Sequence, residues 1–394
     1  MASDNTFAAA QAFLRRQQID GWLVYDFRGN NPLLNQLLPG KRWTTRRAIL
    51  FIPANGSPVL LNHSIDAGQF ATVEVRRESY LSWPELYAWM VRATAGARRI
   101  AMDYAPGGTL PAVSIVDAGT VEMVRALGVD VVSSADLVQA CLAVWSEDAQ
   151  RGHAKASKLV TSTKDEAFQY IRQTLKNGGS VSEFEVQQNI VAWFNDYGLE
   201  FPEPPIVAAN AHSGDPHFEV SEKSSATIKQ GDWVLIDLWA RLPGEENIFS
   251  DITWVGCAGE PSAKQREVFE VVKTARDACV QSAQRAWNDK QAQQGWQLDD
   301  AARDVIINAG YGDFIKHRTG HSLSRGPKVH GLGVNIDNLE THDTRQVLPG
   351  IGYTVEPGVY LPEFGARLEI NVFVDPVKGP TITSCVQDEI VSLV

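Results

Sequence analysis

Five side chains in the last third of the chain have the chemistry of hard-metal ligands. They are Asp237 in VLIDLW, Asp251 in FSDITW, His321 in HRTGHS, Glu356 in TVEPG and Glu369 in ARLEI. No two are close neighbours in sequence, so only a chain that folds back on itself several times can unite them. Four carboxylates and one imidazole suit manganese, iron, cobalt or zinc far better than a soft thiolate site would. With two bridging carboxylates, such a set can hold two cations roughly 3.5–4 Å apart, an arrangement that activates water for hydrolysis.

The elements that must position these groups are legible around them. Asp237 ends the apolar run Val234–Ile236, which predicts a buried strand; a carboxylate there is costly unless it is paired or metal-bound. Asp251 lies on a second strand, between Ser250 and Ile252, and LPGEEN lengthens the hairpin between them, a change that loops absorb cheaply. His321 stands four residues after His317, with Gly320 between, which suggests a crowded site. Glu356 follows the β-branched pair Thr354–Val355 and precedes Pro357, predicting a strand that runs into a turn. Glu369 alternates with Leu368 and Ile370, so it is expected on a strand, facing away from both. Helices are predicted over 156–176, then from SVSEFEVQQ with an S-x-x-E capping box at Ser180 and Glu183, then over a long amphipathic stretch opening near Pro261. A last one, LDDAARDVIINAG, is ended by Gly310.

Before residue 150 the pattern is different. Strand-like segments (GWLVYD, RAILFIP, PVLLN, RRIAMDY, VDVVSS) alternate with helical ones at about 83–97 and 117–127, which predicts a separate α/β domain over 1–150 ahead of a domain over 151–394. The 394 residues carry 36 basic and 47 acidic side chains, 36 − 47 = −11, which argues against nucleic acid or an anionic membrane as partner. No apolar run approaches the roughly 20 residues that cross a bilayer, and the first 18 residues do not read as a signal peptide. Neither GxGxxG nor GxxxxGK[ST] occurs, so nucleotide binding has no support. Cys141, Cys257, Cys279 and Cys385 are scattered and are expected to be reduced, buried thiols in a cytoplasmic protein.

The ordered set Asp237, Asp251, His321, Glu356, Glu369 resembles that of the pita-bread metallopeptidases, the family of methionine aminopeptidase, prolidase, Xaa-Pro aminopeptidase and creatinase. The resemblance covers about 150–394 strongly and the preceding domain more loosely. It implies an α/β fold class: an N-terminal creatinase-like α/β domain and a C-terminal pita-bread α+β catalytic domain. It also implies two divalent metal ions, manganese first, with cobalt, zinc or iron tolerated. Asp237 would chelate one metal, Asp251 and Glu369 would bridge both, and His321 with Glu356 would complete the second. A water between the metals would attack the scissile carbonyl, and Glu356 would carry its proton to the leaving amine. His217, His317 and His330 match positions that contact substrate, and Tyr360 and Arg367 match positions that brace the site. His63, His153, His212 and His342 match nothing and are read as surface or structural.

The departures from the pattern lie beside the ligands. Trp239 stands where the family prefers Gly, Trp254 replaces an Arg, Ser322 and Ser324 replace glycines, and Gly331 replaces a Glu. The two indoles are expected near the first metal, narrowing the pocket. The N-terminal domain, together with all five ligands, points to a binuclear peptidase that hydrolyses Xaa-Pro bonds in small peptides, working as a homodimer. The alternatives are a metal-dependent hydrolase or lyase of a small non-peptide substrate, or a catalytically silent binding member.

Overall fold

A computed structural model describes every residue except Met1, Pro39 and Lys41. The chain divides into two units, Met1–Leu142 and Ala143–Val394, so the division falls ahead of the 150/151 boundary expected from sequence. The helix that opens the second unit starts before residue 150, at Glu147, with the Ser146 hydroxyl accepting from the Ala149 amide at its N-terminus.

In the first unit, strands β1 (Gly21–Phe27), β2 (Arg47–Pro53), β3 (Val59–His63), β4 (Arg76–Tyr80), β5 (Arg99–Met102) and β6 (Asp130–Ser133) form one mixed sheet in the order β4-β3-β2-β1-β5-β6. The turn at Asn55–Gly56 joins β2 to β3 as an antiparallel pair, whereas β1, β5 and β6 run parallel and need helical crossovers. Helices α1 (Ala2–Arg16), α2 (Pro32–Leu37), α3 (Trp83–Ala93), α4 (Ala118–Ala126) and α5 (Ala135–Val138) accompany the sheet. Leu23, Ile49, Leu61, Trp89, Met90 and Met102 make up much of one core cluster. A second device ties the strand ends together: buried Asp103 accepts from Trp22 Nε1, Asn31 Nδ2 and Ser134 Oγ, while burial pushes its pKa up.

The second unit begins with α6 (Glu147–Lys176) and the short strand β7 (Val181–Ser182), followed by α7 (Glu183–Asp196). The capping box of α7 is formed by Ser182 and Glu185, not by Ser180 and Glu183. Pairing of β7 with β9 (Thr227–Ile228) holds the chain extended up to Ser182 and delays the helix by one position pair. Glu183 is instead fully buried and accepts from the amides of Ala209 and Ala226 and from His212. Strands β8 (Ile206–Ala209), β10 (Trp233–Ala240), β11 (Ser250–Cys257) and β18 (Val391–Ser392) make a sheet ordered β18-β11-β10-β8. After α8 (Ala263–Asn288) and α9 (Gly295–Asn308), strands β12 (Ser322–Leu323), β13 (Gly352–Val355), β16 (Ile370–Asp375) and β17 (Gly379–Ile382) make another, ordered β12-β13-β16-β17. A β14 (Gly358–Tyr360)–β15 (Gly365–Arg367) hairpin lies between β13 and β16 in sequence.

Alternation along β10 decides what each face does. Val234, Ile236 and Leu238 pack into a core cluster with α6 and α7, while Trp233 and Leu235 join a second cluster with α8 and α9. Asp237 and Trp239 continue the latter face, so the chemistry grows out of a rigid, buried strand.

Candidate metal centre

The β10–β11 register pairs Asp237 with Thr253 and Trp239 with Asp251, and cross-strand partners share a face. Asp237, Trp239, Asp251 and Thr253 therefore project from the same side of the sheet. Ser322 and Leu323 pair with Tyr353 and Gly352, which brings His321, one residue before β12, alongside Thr354. His321 N donates to Thr354 Oγ1 at 2.9 Å and Thr354 N donates back to the His321 carbonyl at 2.8 Å. Gly320 makes this approach possible: a Cβ there would lie 2.1 Å from the Thr354 carbonyl oxygen. Glu356 follows directly after β13. Glu369 lies in the break between β15 and β16 rather than on a strand, its amide donating to the Thr253 carbonyl at 3.1 Å.

Asp251, His321 and Glu369 thus converge, their ligand atoms within 4.8 Å of one another and all three buried. His321 Nε2 stands 3.3 Å from Asp251 Oδ2 and 3.6 Å from Glu356 Oε1. Its Nδ1 faces the Ser322 carbonyl at 3.1 Å, which places the proton on Nδ1 and leaves the Nε2 lone pair toward the carboxylates, the tautomer a metal ligand needs. Asp237 enters through Arg367, whose Nη2 pairs with Asp237 Oδ2 at 2.5 Å; Asp237 Oδ1 is buried with no hydrogen-bond partner among the described residues.

Arg367 ties the site together. Its Nε donates to Thr253 Oγ1 at 3.0 Å, and that hydroxyl donates to Glu369 Oε2 at 2.8 Å. Its Nη1 donates to the Tyr360 hydroxyl at 2.7 Å, and Tyr360 in turn meets His317 Nε2 at 2.5 Å. His317 Nδ1 donates to the Arg318 carbonyl at 2.6 Å, so both ring nitrogens are engaged. Burial, followed by the Arg367 charge, pushes the His317 pKa down to about 3 and keeps the ring neutral. With both nitrogens engaged, the neutral ring braces Tyr360 and, through it, Arg367. His330 is exposed and stacks on His321 with ring centroids 4.1 Å apart, and the neighbouring imidazole is the main cause of its lowered pKa. His217 is also exposed, and its neighbour Pro216 offers a carbonyl to Arg367 at 3.5 Å.

These residues fit a metal. Four carboxylates (Asp237, Asp251, Glu356, Glu369) face one buried guanidinium, leaving a formal excess of 4 − 1 = 3 negative charges among half-buried or buried groups. Burial is the largest cause of the raised pKa values of Asp251, Glu356 and Glu369, and the mutual repulsion of the carboxylates adds to it. An unpartnered buried oxygen on Asp237 and a correctly oriented imidazole complete a donor set that lacks only its cation.

The two added indoles part company. Trp239 shares the ligand face, whereas Trp254 does not join the site. Three residues from Asp251 on a strand is an odd spacing, so Trp254 projects from the other face, where the Lys164 ammonium of α6 sits 3.5 Å from its ring centroid. The three remaining departures form one compensating set. Ser322 Oγ accepts from Gly333 N at 2.9 Å and Ser324 Oγ from Leu332 N at 3.0 Å, pinning the loop that carries His330. A Cβ at position 331 would meet Ser324 Oγ at 2.4 Å, the Ser324 amide nitrogen at 2.6 Å and Ser322 Oγ at 2.9 Å, so the serine hydroxyls and the backbone they sit on both call for Gly331. Sequence reading missed Thr253 and Thr354 as braces. It also missed buried Asp299, which accepts from Thr319 N between the two histidines at 3.0 Å; alternation with Asp251 was the available signal for Thr253. Of the histidines that match no pattern, His153 is buried between the Phe249 carbonyl and Thr383, and His212 is paired with Glu183.

A buried cluster of carboxylates and an imidazole, gathered from the ends and middles of several strands, defines a metal-dependent hydrolase centre. Residues 152–376 match the pattern of metallopeptidase family M24, and the chain belongs to that family. An uncharacterized peptidase, YqhT, of Bacillus subtilis is 31% identical over 257 residues, 64% of this chain and 67% of its own length. The Xaa-Pro dipeptidase of Pyrococcus furiosus is 34% identical over 194 residues, 49% of this chain and 51% of its own length. The chain therefore spans between half and two thirds of these relatives. Dipeptidase PepE from Mycobacterium ulcerans has the same fold, with a TM-score of 0.70 over 100% of this chain and 98% of that one at 23% identity.

Proposed function

We propose that the protein is a binuclear metal-dependent peptidase that hydrolyses Xaa-Pro bonds, in dipeptides or at the N-termini of short peptides. The observation that carries this reading is the charge imbalance around Arg367: a cluster short of three positive charges calls for divalent cations, one leaving −3 + 2 = −1 and two −3 + 4 = +1, and the five donor residues offer oxygens enough for two. Asp237, Asp251, His321, Glu356 and Glu369 would hold them, manganese being the first choice and cobalt, zinc or iron tolerated. Bound there, the ions supply Lewis-acid activation of water and of the scissile carbonyl.

The chain's own residues do the rest. Glu356 is the proton carrier: burial raises its pKa, and Thr354 Oγ1 donating to Oε1 at 3.0 Å fixes the carboxylate. It can take a proton from the attacking water and pass it to the leaving nitrogen. His330, stacked on His321, and His217 are both exposed, and neither ring has a hydrogen bond among the described residues, so both can donate to substrate oxygens. His317, Tyr360 and Arg367 hold the geometry. The relatives named Xaa-Pro dipeptidase support the substrate class. We further propose a cytoplasmic homodimer that acts on small peptides and binds neither nucleic acid nor membrane; light scattering of the purified protein tests the dimer.

The deciding experiment strips the protein of metal, restores manganese, and measures proline release from an Xaa-Pro dipeptide and release of the first residue from an Xaa-Pro-Xaa tripeptide. Turnover abolished by chelator supports the peptidase, and the preferred length separates dipeptidase from aminopeptidase. The repacked Ser322–Ser324–Gly331 loop favours a second reading, hydrolysis or lysis of a small non-peptide substrate. No peptide turnover with metal bound would select it.

A further inference from the structure

The lengthened hairpin between the first two ligands is fastened at both ends. Beyond Trp239, buried Arg241 donates to the carbonyls of Asn247 and Gly326 and pairs with Glu200. The Gly326 amide donates to the Glu245 carbonyl at 2.9 Å, and Arg325 pairs with Glu246 at 3.2 Å. On the other side the hairpin lies against α6, where a Cβ on Gly152 would strike Asn247 Oδ1 at 2.2 Å. Six added loop residues would be mobile if left to themselves; these bonds make them a fixed strap between the sheet and the loop 325–329.

The strap holds one side chain against the metal centre. Trp239 pairs with Asp251 across the strands, and it packs together with Val329 against the cluster of Ile248, Phe249 and Leu323. The next residue, His330, stacks on His321, whose Nε2 lies 3.3 Å from Asp251. The register opposite Asp251 sets the indole beside that ligand, and the cluster it packs on is shared with Val329, the residue before His330. Trp239 Nε1 is buried and has no hydrogen-bond partner among the described residues, an unfavourable state that an arriving acceptor would relieve.

We propose that Trp239, clamped by the strap, is the specificity-determining wall of the substrate pocket. It rejects bulky Xaa side chains, and its indole N–H pairs with a substrate carbonyl or carboxylate oxygen. This rests on the peptidase reading and deepens it: the substrates are Xaa-Pro peptides with a small Xaa. One methylene against a packed wall is worth about 10–200-fold in kcat/KM, so the wall discriminates strongly.

The test compares the wild type with W239G and W239F on manganese-loaded protein, using Gly-Pro, Ala-Pro, Leu-Pro and Phe-Pro. W239G should raise the Phe-Pro to Gly-Pro ratio of kcat/KM at least tenfold with bound metal unchanged. W239F, which keeps an aromatic face but shortens the wall and loses the N–H, should raise KM for Gly-Pro about tenfold and relax the size order less than W239G does. A second readout does not need turnover. In protein loaded with diamagnetic zinc, the indole 15N–1H resonance of Trp239, assigned by its absence in W239F, should move when Gly-Pro is titrated in and stay still with Phe-Pro. An unchanged ratio in a folded, metal-replete W239G, or a resonance that no dipeptide moves, overturns the proposal. A resonance that moves while the wild type turns over no Xaa-Pro peptide sinks the peptidase reading and leaves the wall standing.

Discussion

Removing the Arg367 guanidinium tests the electrostatic account of the site most directly. Arg367 is 3% exposed and, among the described residues, is the one cation paired within a group of four carboxylates. In an Arg367→Met variant, Asp237 loses its partner, Thr253 loses the donor that orients its hydroxyl toward Glu369, and the Tyr360–His317 pair loses its anchor. Breaking a buried ion pair from one side costs about 3–5 kcal/mol, because the abandoned charge stays buried. At roughly 2–4 °C per kcal/mol for a unit of this size, the Tm of the metal-free protein at pH 7 should fall by about 6–20 °C. The sign of the pH dependence follows from the raised carboxylate pKa values. Without the guanidinium they rise further, so the native state binds protons that the unfolded chain does not. The variant's deficit therefore shrinks as pH falls toward the ordinary carboxylate range. Calorimetry on chelated protein at pH 7 and pH 5 measures both quantities. A Tm within about 2 °C of wild type at pH 7, or a deficit that grows on acidification, would refute the reasoning.

Three further outcomes are expected. In the metal-free wild type, the raised folded-state pKa values of Asp251, Glu356 and Glu369 make stability greatest below the unfolded carboxylate pKa. It is lost as pH rises through the folded values; saturating manganese should reverse that slope, which denaturant titration across pH 4–8 reads out. Asp251→Ala and Glu369→Ala should abolish turnover and lower bound metal per chain while near-ultraviolet dichroism stays native; full activity in either variant means the ligand assignment is wrong. Gly331→Ala, whose methyl would stand 2.4 Å from Ser324 Oγ, should cost about 1–3 kcal/mol by urea unfolding. The double variant with Ser324→Gly removes the hydroxyl but leaves the position-324 amide nitrogen 2.6 Å from the new methyl, so it should recover only part of that; equal losses in single and double variants would show that the hydroxyl contributes nothing.

What the sequence determined by itself is the inventory: five ligands in order, the strands they flank, a helical and strand alternation that splits the chain in two, and a charge balance unlike that of a nucleic-acid binder. Those features rest on local physics. Apolar runs with β-branched residues make strands whatever surrounds them, and a carboxylate at the end of such a run must be compensated by something. Facing and register were only partly legible. The odd spacing of Trp254 from Asp251 was enough to send it to the α6 side, whereas the place of Trp239 depends on which residue of the next strand lies opposite, a choice made by the hairpin's length. Only the tertiary structure decided that His317 is a buttress, because its two bonds come from residues one and forty-three positions away. It also decided that Glu369 sits in a break between strands, and that Ser322, Ser324 and Gly331 share one space. The Tyr360–His317 bond and the Glu369–Thr253 bond span 43 and 116 positions and are set by how whole elements pack, and the space shared by Ser322, Ser324 and Gly331 is set by how one loop folds back, so no local preference encodes them.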